Sequence, residues 1–163
     1  MSTHQPGDAE KAEAHERLLQ FPAFDEATAW DLGTRLRAAA DARGVAVVID
    51  IRRGHDCLFF TAMPGTAPDN ADWARRKRNL VQLLNISSYR VGLQIAAGED
   101  VLGLRGLDSR DHAPHGGCFP IRVRGTGLVG TVTVSGLPQR EDHGLVVDVI
   151  AELLGVDLGD TRF

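Results

Sequence analysis

The sequence predicts an α+β domain in which helices pack over an antiparallel sheet. Three observations point there. VAVVIDI (Val45 to Ile51) is a continuous β-branched run, and DCLFFTAM (Asp56 to Met63) follows it as a hairpin partner. A second hairpin, Cys118 to Arg124 and Leu128 to Ser135, closes on Gly125-Thr126-Gly127. Helical patterns stand before, between and after these pairs, giving the order α-α-β-β-α-α-β-β-α. Hairpins separated by a helical block favour an antiparallel sheet over a doubly wound parallel one.

Each element has its own signal. Met1 to Asp8 reads as a polar tail, and Ala9 to Phe21 as a short helix ended by Pro22. This leading piece, 1–22, is set apart from a single domain over 23–163, a length that builds one core rather than two. Asp25 is placed to cap a helix over Glu26 to Arg43, where Trp30, Leu32, Leu36, Ala39 and Ala40 recur at helical spacing and Gly44 marks the stop. Arg52 to His55 reads as the turn of the first hairpin. Pro64 to Pro68 breaks the chain, Asp69 or Asn70 caps a helix running to Asn85, and the serines at 87 and 88 open another over Ser87 to Ala97. Gly98 to Gly117 has no sustained period, and a connection that long in a compact domain carries function or structure of its own. Pro138 to Leu154 is the last helix, with proline suited to the first turn.

Composition excludes some functions. A net charge of −4 gives no basic footprint for a nucleic acid. No run of apolar residues is long enough to span a membrane, and the first residues lack the apolar segment of a secretory leader. The two cysteines, Cys57 and Cys118, make neither a disulfide framework nor a CxxC pair. A cytoplasmic protein with reduced thiols is expected.

Charges stand where apolar residues belong. In the helix of Trp73, Leu80, Val81 and Leu84, Lys77 falls in the middle of the apolar stripe and Arg76 at its edge, while Arg75 and Arg78 point elsewhere. Lys77 either snorkels to water along the stripe or is aimed inward, where a buried ammonium must have a partner. The last helix repeats the anomaly, with Asp142 and His143 within the arc of Leu145, Val146, Val149, Ile150 and Leu153. Asp142 also suits a helix N-terminus, and His143 suits a satisfied core position. Just upstream, Ser135-Gly136 leads from strand to helix with no capping side chain, so backbone N–H groups there could hold an anion.

The densest chemistry lies between Asp111 and Cys118. His112, His115 and Cys118 are residue types that bind zinc or haem iron, although a second ligand pair at metal spacing is missing. Gly116-Gly117 forces a turn that presents His115 just before a strand. His115 could serve as a ligand or in proton transfer, or simply occupy the turn. Cys118 could pair with it as a nucleophile, but no third member is evident. The Gly125-Thr126-Gly127 turn joins two strands and is no dinucleotide fingerprint.

At these residues the chain resembles a known family. WARRKRNLV (Trp73 to Val81), NISSYRVG (Asn85 to Gly92), HGGCFPIRV (His115 to Val123) and GTVTVSGLPQREDHGLVV (Gly130 to Val147) resemble the heme-degrading-domain proteins of bacteria and fungi. Those are related to the GlcG/HbpS-like haem-binding proteins and to the C-terminal domain of PduO-type proteins. The resemblance spans about Phe24 to Val156. It implies a profilin-like or PAS-like antiparallel sheet flanked by helices, and assembly into homo-oligomers. Gly116, Gly117, Pro120, Ile121, Ser135 and Gly136 are the widely shared positions, and Trp73, Arg76, Lys77, His115, Asp142 and His143 mark the branch. Haem is the cofactor the resemblance suggests, with no axial ligand carried over to a particular residue.

Three functions remain in competition. The first is a cytoplasmic, oligomeric binding protein for haem or another small anionic ligand, held by Arg76, Lys77, His115, Gly116, Gly117, Ser135, Gly136, Asp142 and His143. The second is an enzyme in which His115, Asp142 and His143 do acid–base chemistry on a small carboxylated metabolite. The third is an interaction or assembly module whose charged stripe residues pair across subunits.

Overall fold

The computed structural model describes residues 4–163; the start of the expected polar tail, 1–3, lies outside the described residues. The elements are α1 (Asp8–Leu18), α2 (Glu26–Arg43), β1 (Val48–Arg53), β2 (Asp56–Ala62), α3 (Pro68–Leu84), α4 (Ser88–Ala96), β3 (Cys118–Val123), β4 (Gly127–Ser135) and α5 (Gln139–Leu154). Their order is the one the sequence predicts, with short 3-10 turns added at Gly103–Arg105 and Gly159–Thr161. The fold is α+β.

The helix signals act as expected. The Asp25 carboxylate accepts the Thr28 N–H at 2.8 Å, and Gly44, at φ 66°, closes α2 in a left-handed turn open to glycine at low cost. β1 begins at Val48 rather than Val45, because the Val45 N–H bonds back to the Ala40 carbonyl and finishes the helix. α3 starts at Pro68, and Asn70 reaches back to accept the Ala67 N–H at 2.9 Å.

The four strands form one antiparallel sheet in the order β2-β1-β4-β3. The first strand therefore pairs with the last, placing Val48 opposite Ser135, Asp50 opposite Thr133 and Arg52 opposite Thr131. Alternation then divides the faces. Ile49, Ile51, Phe119, Ile121, Val132 and Val134 build the main core with Leu32 and Leu36 of α2 and Val146 and Ile150 of α5. The opposite face carries Asp50, Thr131, Thr133, Ser135 and Cys118, all buried. It is polar, and α3 contributes cations to it. Arg78 and Arg52 both bond the Asp50 carboxylate, Arg52 Nε at 3.0 Å. Among the described residues the hydroxyls of Thr131 and Thr133 lie buried without a hydrogen-bond partner.

Two expectations about the periphery change. Asp8, read as tail, opens α1 and is buried, accepting the Tyr89 hydroxyl at 2.6 Å and the Arg140 guanidinium at 3.1 Å through Nε and Nη2. α1 docks through polar groups as well as alanines. Glu16 accepts the Ser87 N–H and Arg90 Nη1, and beyond the helix Leu19 and Phe21 enter the core. The 98–117 connection is a fixed structure. Arg75 pairs with Asp111, Arg76 donates to the Ser109 carbonyl, Asn79 donates to the Asp111 carbonyl, and the Ala113 N–H bonds the Arg76 carbonyl. The basic run of α3 thus splits, with Arg75 and Arg76 stitching the loop while Lys77 and Arg78 pass inward toward the sheet.

Candidate functional site

A cleft of about 230 Å³ opens where the first turns of α3, the turn at 115–117 and the junction of β4 with α5 meet. Asn70, Trp73, Lys77, His115, Ser135, Gly136, Gln139 and Asp142 are among its lining residues. Lys77 does not snorkel. It is 3% exposed, and its Nζ donates to Asp142 Oδ2 at 2.9 Å and to the Val134 carbonyl at 3.3 Å. The partner that burial of an ammonium demands comes from within the chain.

Asp142 also settles the anion site expected at the strand–helix junction. Pro138 stands at the N-cap and offers no capping side chain. The Asp142 carboxylate reaches back instead, accepting the Leu137 N–H at 3.0 Å and the Gly136 N–H at 3.4 Å. Those backbone donors, expected to meet an external anion, are taken by Asp142. Burial pushes its carboxyl up to about 6, against the opposing pull of Lys77 and the two N–H groups.

The Gly116-Gly117 pair is required by close backbone approach. A Cβ at 116 would lie 2.1 Å from the Gln139 carbonyl oxygen. One at 117, where φ is 131°, would lie 2.2 Å from the Val134 oxygen and 2.8 Å from Lys77 Nζ. These glycines let the turn press against the β4–α5 junction, and they bring His115 to the cleft. The His115 ring meets Trp73 edge-on at 5.0 Å, and neither ring nitrogen has a hydrogen-bond partner among the described residues. Although His115 is exposed at the cleft mouth, partial desolvation of its ring and then the charges of Lys77, Arg76 and His4 lower its pKa, which favours the neutral imidazole. Arg76 stacks over Trp73 at 4.3 Å but turns its donors to the Ser109 carbonyl, so it stands behind the cleft wall.

Two expected groupings come apart. Asp142 and His143 are adjacent on α5, about 100° apart around the helix axis, and only Asp142 faces the cleft. His143 is wholly buried in a ring cluster with His15, Tyr89, Phe119 and Phe163, so His115, Asp142 and His143 do not form one catalytic set. His112, His115 and Cys118 do not converge either. His112 bonds the Asp108 carbonyl, and Cys118 is buried, its thiol pushed up to about 12 by desolvation. Among the described residues no group of three or more His, Cys, Asp or Glu is placed to hold a metal ion.

Sequence reasoning missed several residues. Asn70 and Gln139 line the cleft, and His15, Asp8 and Tyr89 form the buried network around His143. The polar sheet face had a visible signal, because Thr131, Thr133 and Ser135 alternate with Val132 and Val134 in what otherwise reads as an apolar strand.

The antiparallel sheet thus carries α2 and α5 on its apolar face and α3 on its polar face, with a small polar cleft at one end. The chain belongs to the HbpS-like family: the sequence model described as "Haem degrading protein HbpS-like" matches residues 24–151. A UPF0303 protein of Azotobacter vinelandii is 54% identical over 148 residues, covering 90% of this chain and 89% of that one. A UPF0303 protein of Rhizobium etli is 47% identical over 155 residues, covering 95% and 94%. The crystal structure of Ybr137w protein matches with TM-score 0.83 and 30% identity over 93% of this chain and 90% of that one. At the level of fold alone, the PduOC:heme complex matches at TM-score 0.68 with 20% identity, covering 79% and 94%. Among the described residues no helix is long and apolar enough to cross a membrane.

Proposed function

We propose that the chain is a small-ligand-binding protein whose site is the cleft under His115. The observation that carries this reading is the neutral imidazole of His115, both ring nitrogens unpartnered among the described residues, above the buried Lys77–Asp142 pair. A group held in that state has lone-pair or donor capacity available to a ligand, whereas Lys77 and Asp142 beneath it have their main partners inside the chain.

Haem is the ligand suggested by the family description and by the PduOC:heme neighbour. The residues fit in one respect. His115 is the imidazole on the cleft, and it would hold the iron, with Trp73 beside it. At about 230 Å³ the cleft is below the usual size of a cofactor pocket and would not enclose a porphyrin by itself, so a second copy of the chain would complete the cover. In that form the protein would act as a cytoplasmic homo-oligomer. Titration with hemin tests it: a Soret shift lost in His115→Ala and kept in His143→Ala is expected. No shift, or one indifferent to His115, sinks haem ligation there.

A second reading is enzymatic and rests on the Asp142 carboxyl, whose pKa near 6 suits proton exchange at neutral pH. His115 and Asp142, without His143, would share the acid–base work. Turnover of a small metabolite that vanishes in His115→Ala would support it; ligand binding with no product counts against it.

A further inference from the structure

We propose that Lys77 forms a protonated imine with a small neutral aldehyde that enters the cleft, with Asp142 as proton shuttle and counter-ion. The proposal rests on the reading that the cleft is the ligand site, and names the ligand's chemistry.

The choice of cation carries the argument. The chain holds sixteen arginines and only two lysines, Lys11 and Lys77. Four buried carboxylates pair with cations: Asp8, Glu16 and Asp50 with arginines 140, 90 and 78, and Asp142 with Lys77. Arginine is the usual partner for a buried carboxylate because its planar fork matches two oxygens and its charge is permanent. The one pair that departs from that rule is the one that lines a cleft. What lysine brings there is an amine that can lose its proton and become a nucleophile.

Geometry leaves the amine approachable. Nζ donates to two acceptors, Asp142 and the Val134 carbonyl, so one of its three N–H groups has no partner among the described residues. A Cβ at residue 117 would lie 2.8 Å from Nζ, so glycine there keeps one side of the amine clear. The raised proton affinity of Asp142 suits a carboxylate that takes the ammonium proton and returns it. Asp69 and Asp142 both line the cleft, and the Gly136 and Leu137 N–H groups are already bonded, which disfavours a carboxylate beside Lys77 and favours a neutral group there.

The step balances without a co-reactant. Asp142 accepts one proton from the Lys77 ammonium, and the freed Nζ electron pair forms a C–N bond to the aldehyde carbon while the C=O π pair moves to oxygen. That oxygen is protonated, first by the amine proton and then from Asp142, and leaves as water. The product is the iminium, charge-paired with the Asp142 carboxylate.

The test is reductive trapping of the full chain with propanal and cyanoborohydride, followed by peptide mapping. Lys11, whose Nζ donates to the Arg162 carbonyl at the surface, is the internal reference. Lys77 is expected to acquire the propyl group at least about tenfold faster than Lys11 and to saturate with propanal, and Asp142→Asn is expected to slow Lys77 alone. Lys77 labelled no faster than Lys11 overturns the proposal. Propanal without reductant, followed through the His115 imidazole resonances of Lys77→Arg, separates the two readings. A saturable shift without trapping in the unmodified chain removes the imine and keeps the cleft as a ligand site; neither signal removes both.

Discussion

His15 and His143, 128 residues apart in sequence, share a single buried hydrogen bond of 3.1 Å between Nδ1 and Nε2. The tautomers follow from the neighbours. His15 Nε2 faces the Thr161 carbonyl at 2.8 Å and must donate to it, so its Nδ1 accepts from His143 Nε2–H. His143 Nδ1 is then a bare lone pair, buried without a partner among the described residues. The pair ties α1 to α5 and to the C-terminal turn, and Phe163 packs on both rings.

Burial holds both imidazoles neutral, lowering the pKa of His15 and setting that of His143 well below 6.5. The unfolded chain takes up these protons near pH 6.5, so their contribution is fully present above that pH and is lost as pH falls below it. The expected slope is up to about 1.4 kcal/mol per pH unit for each ring. Asp142 offsets part of it from about pH 6 downward, because its folded carboxyl binds a proton more tightly than an ordinary one. Urea midpoints should fall between about pH 7.5 and about 5.5, and less steeply in His143→Phe. An unchanged midpoint contradicts the neutral pair.

Lys77 and Asp142 should respond unequally to removal. Lys77→Met leaves a carboxylate that still accepts the Gly136 and Leu137 N–H groups, whereas Asp142→Ala strands both the ammonium and those donors. Breaking a buried pair costs about 3–5 kcal/mol, with Lys77→Met expected at the low end and Asp142→Ala at the high end. Chemical denaturation of the two variants checks the order, and a reversed order rejects the capping role of Asp142.

The unpartnered hydroxyl of Thr131 predicts an unusual gain. Thr131→Val keeps the shape and removes a buried polar group, so stability should stay level or rise by about 1 kcal/mol. A loss above about 1 kcal/mol in thermal unfolding would show that the hydroxyl has a bonding role.

Gly117→Ala should be among the most damaging small substitutions. It combines a positive φ with a Cβ against the Val134 oxygen, and a penalty of about 3 kcal/mol or more is expected. Circular dichroism melting is sufficient to read it. The surface pair Arg75–Asp111 is the control, since breaking an exposed pair should leave the melting curve nearly unchanged.

Element order was legible in this sequence because each element carries its own period and stop signals, as Asp25 and Gly44 do for α2. The location of the cleft was legible for a related reason. Lys77 and Asp142 break an apolar stripe, and the glycines at 116 and 117 mark a turn with no room for side chains. Partnership was not legible. Whether Lys77 met water, a ligand or Asp142 depends on how α3 crosses the β4–α5 junction, a long-range fact with no local period. His15 was missed because α1 docks through Asp8, His15 and Glu16, polar residues that a hydrophobic pattern assigns to solvent. His143 was grouped with Asp142 because both fall inside one broad arc, although consecutive helical residues address different neighbours.

The carboxylate of Asp142 has a consequence for selectivity. Tethered beside the Gly136 and Leu137 amides and the Lys77 amine, it acts as a permanent competitor at a high effective concentration. A free metabolite acid must displace a rival that never diffuses away, and must leave that rival's charge buried when it succeeds. A ligand that carries carboxylates is therefore expected to keep them outside the cleft, away from Lys77 and the two amides.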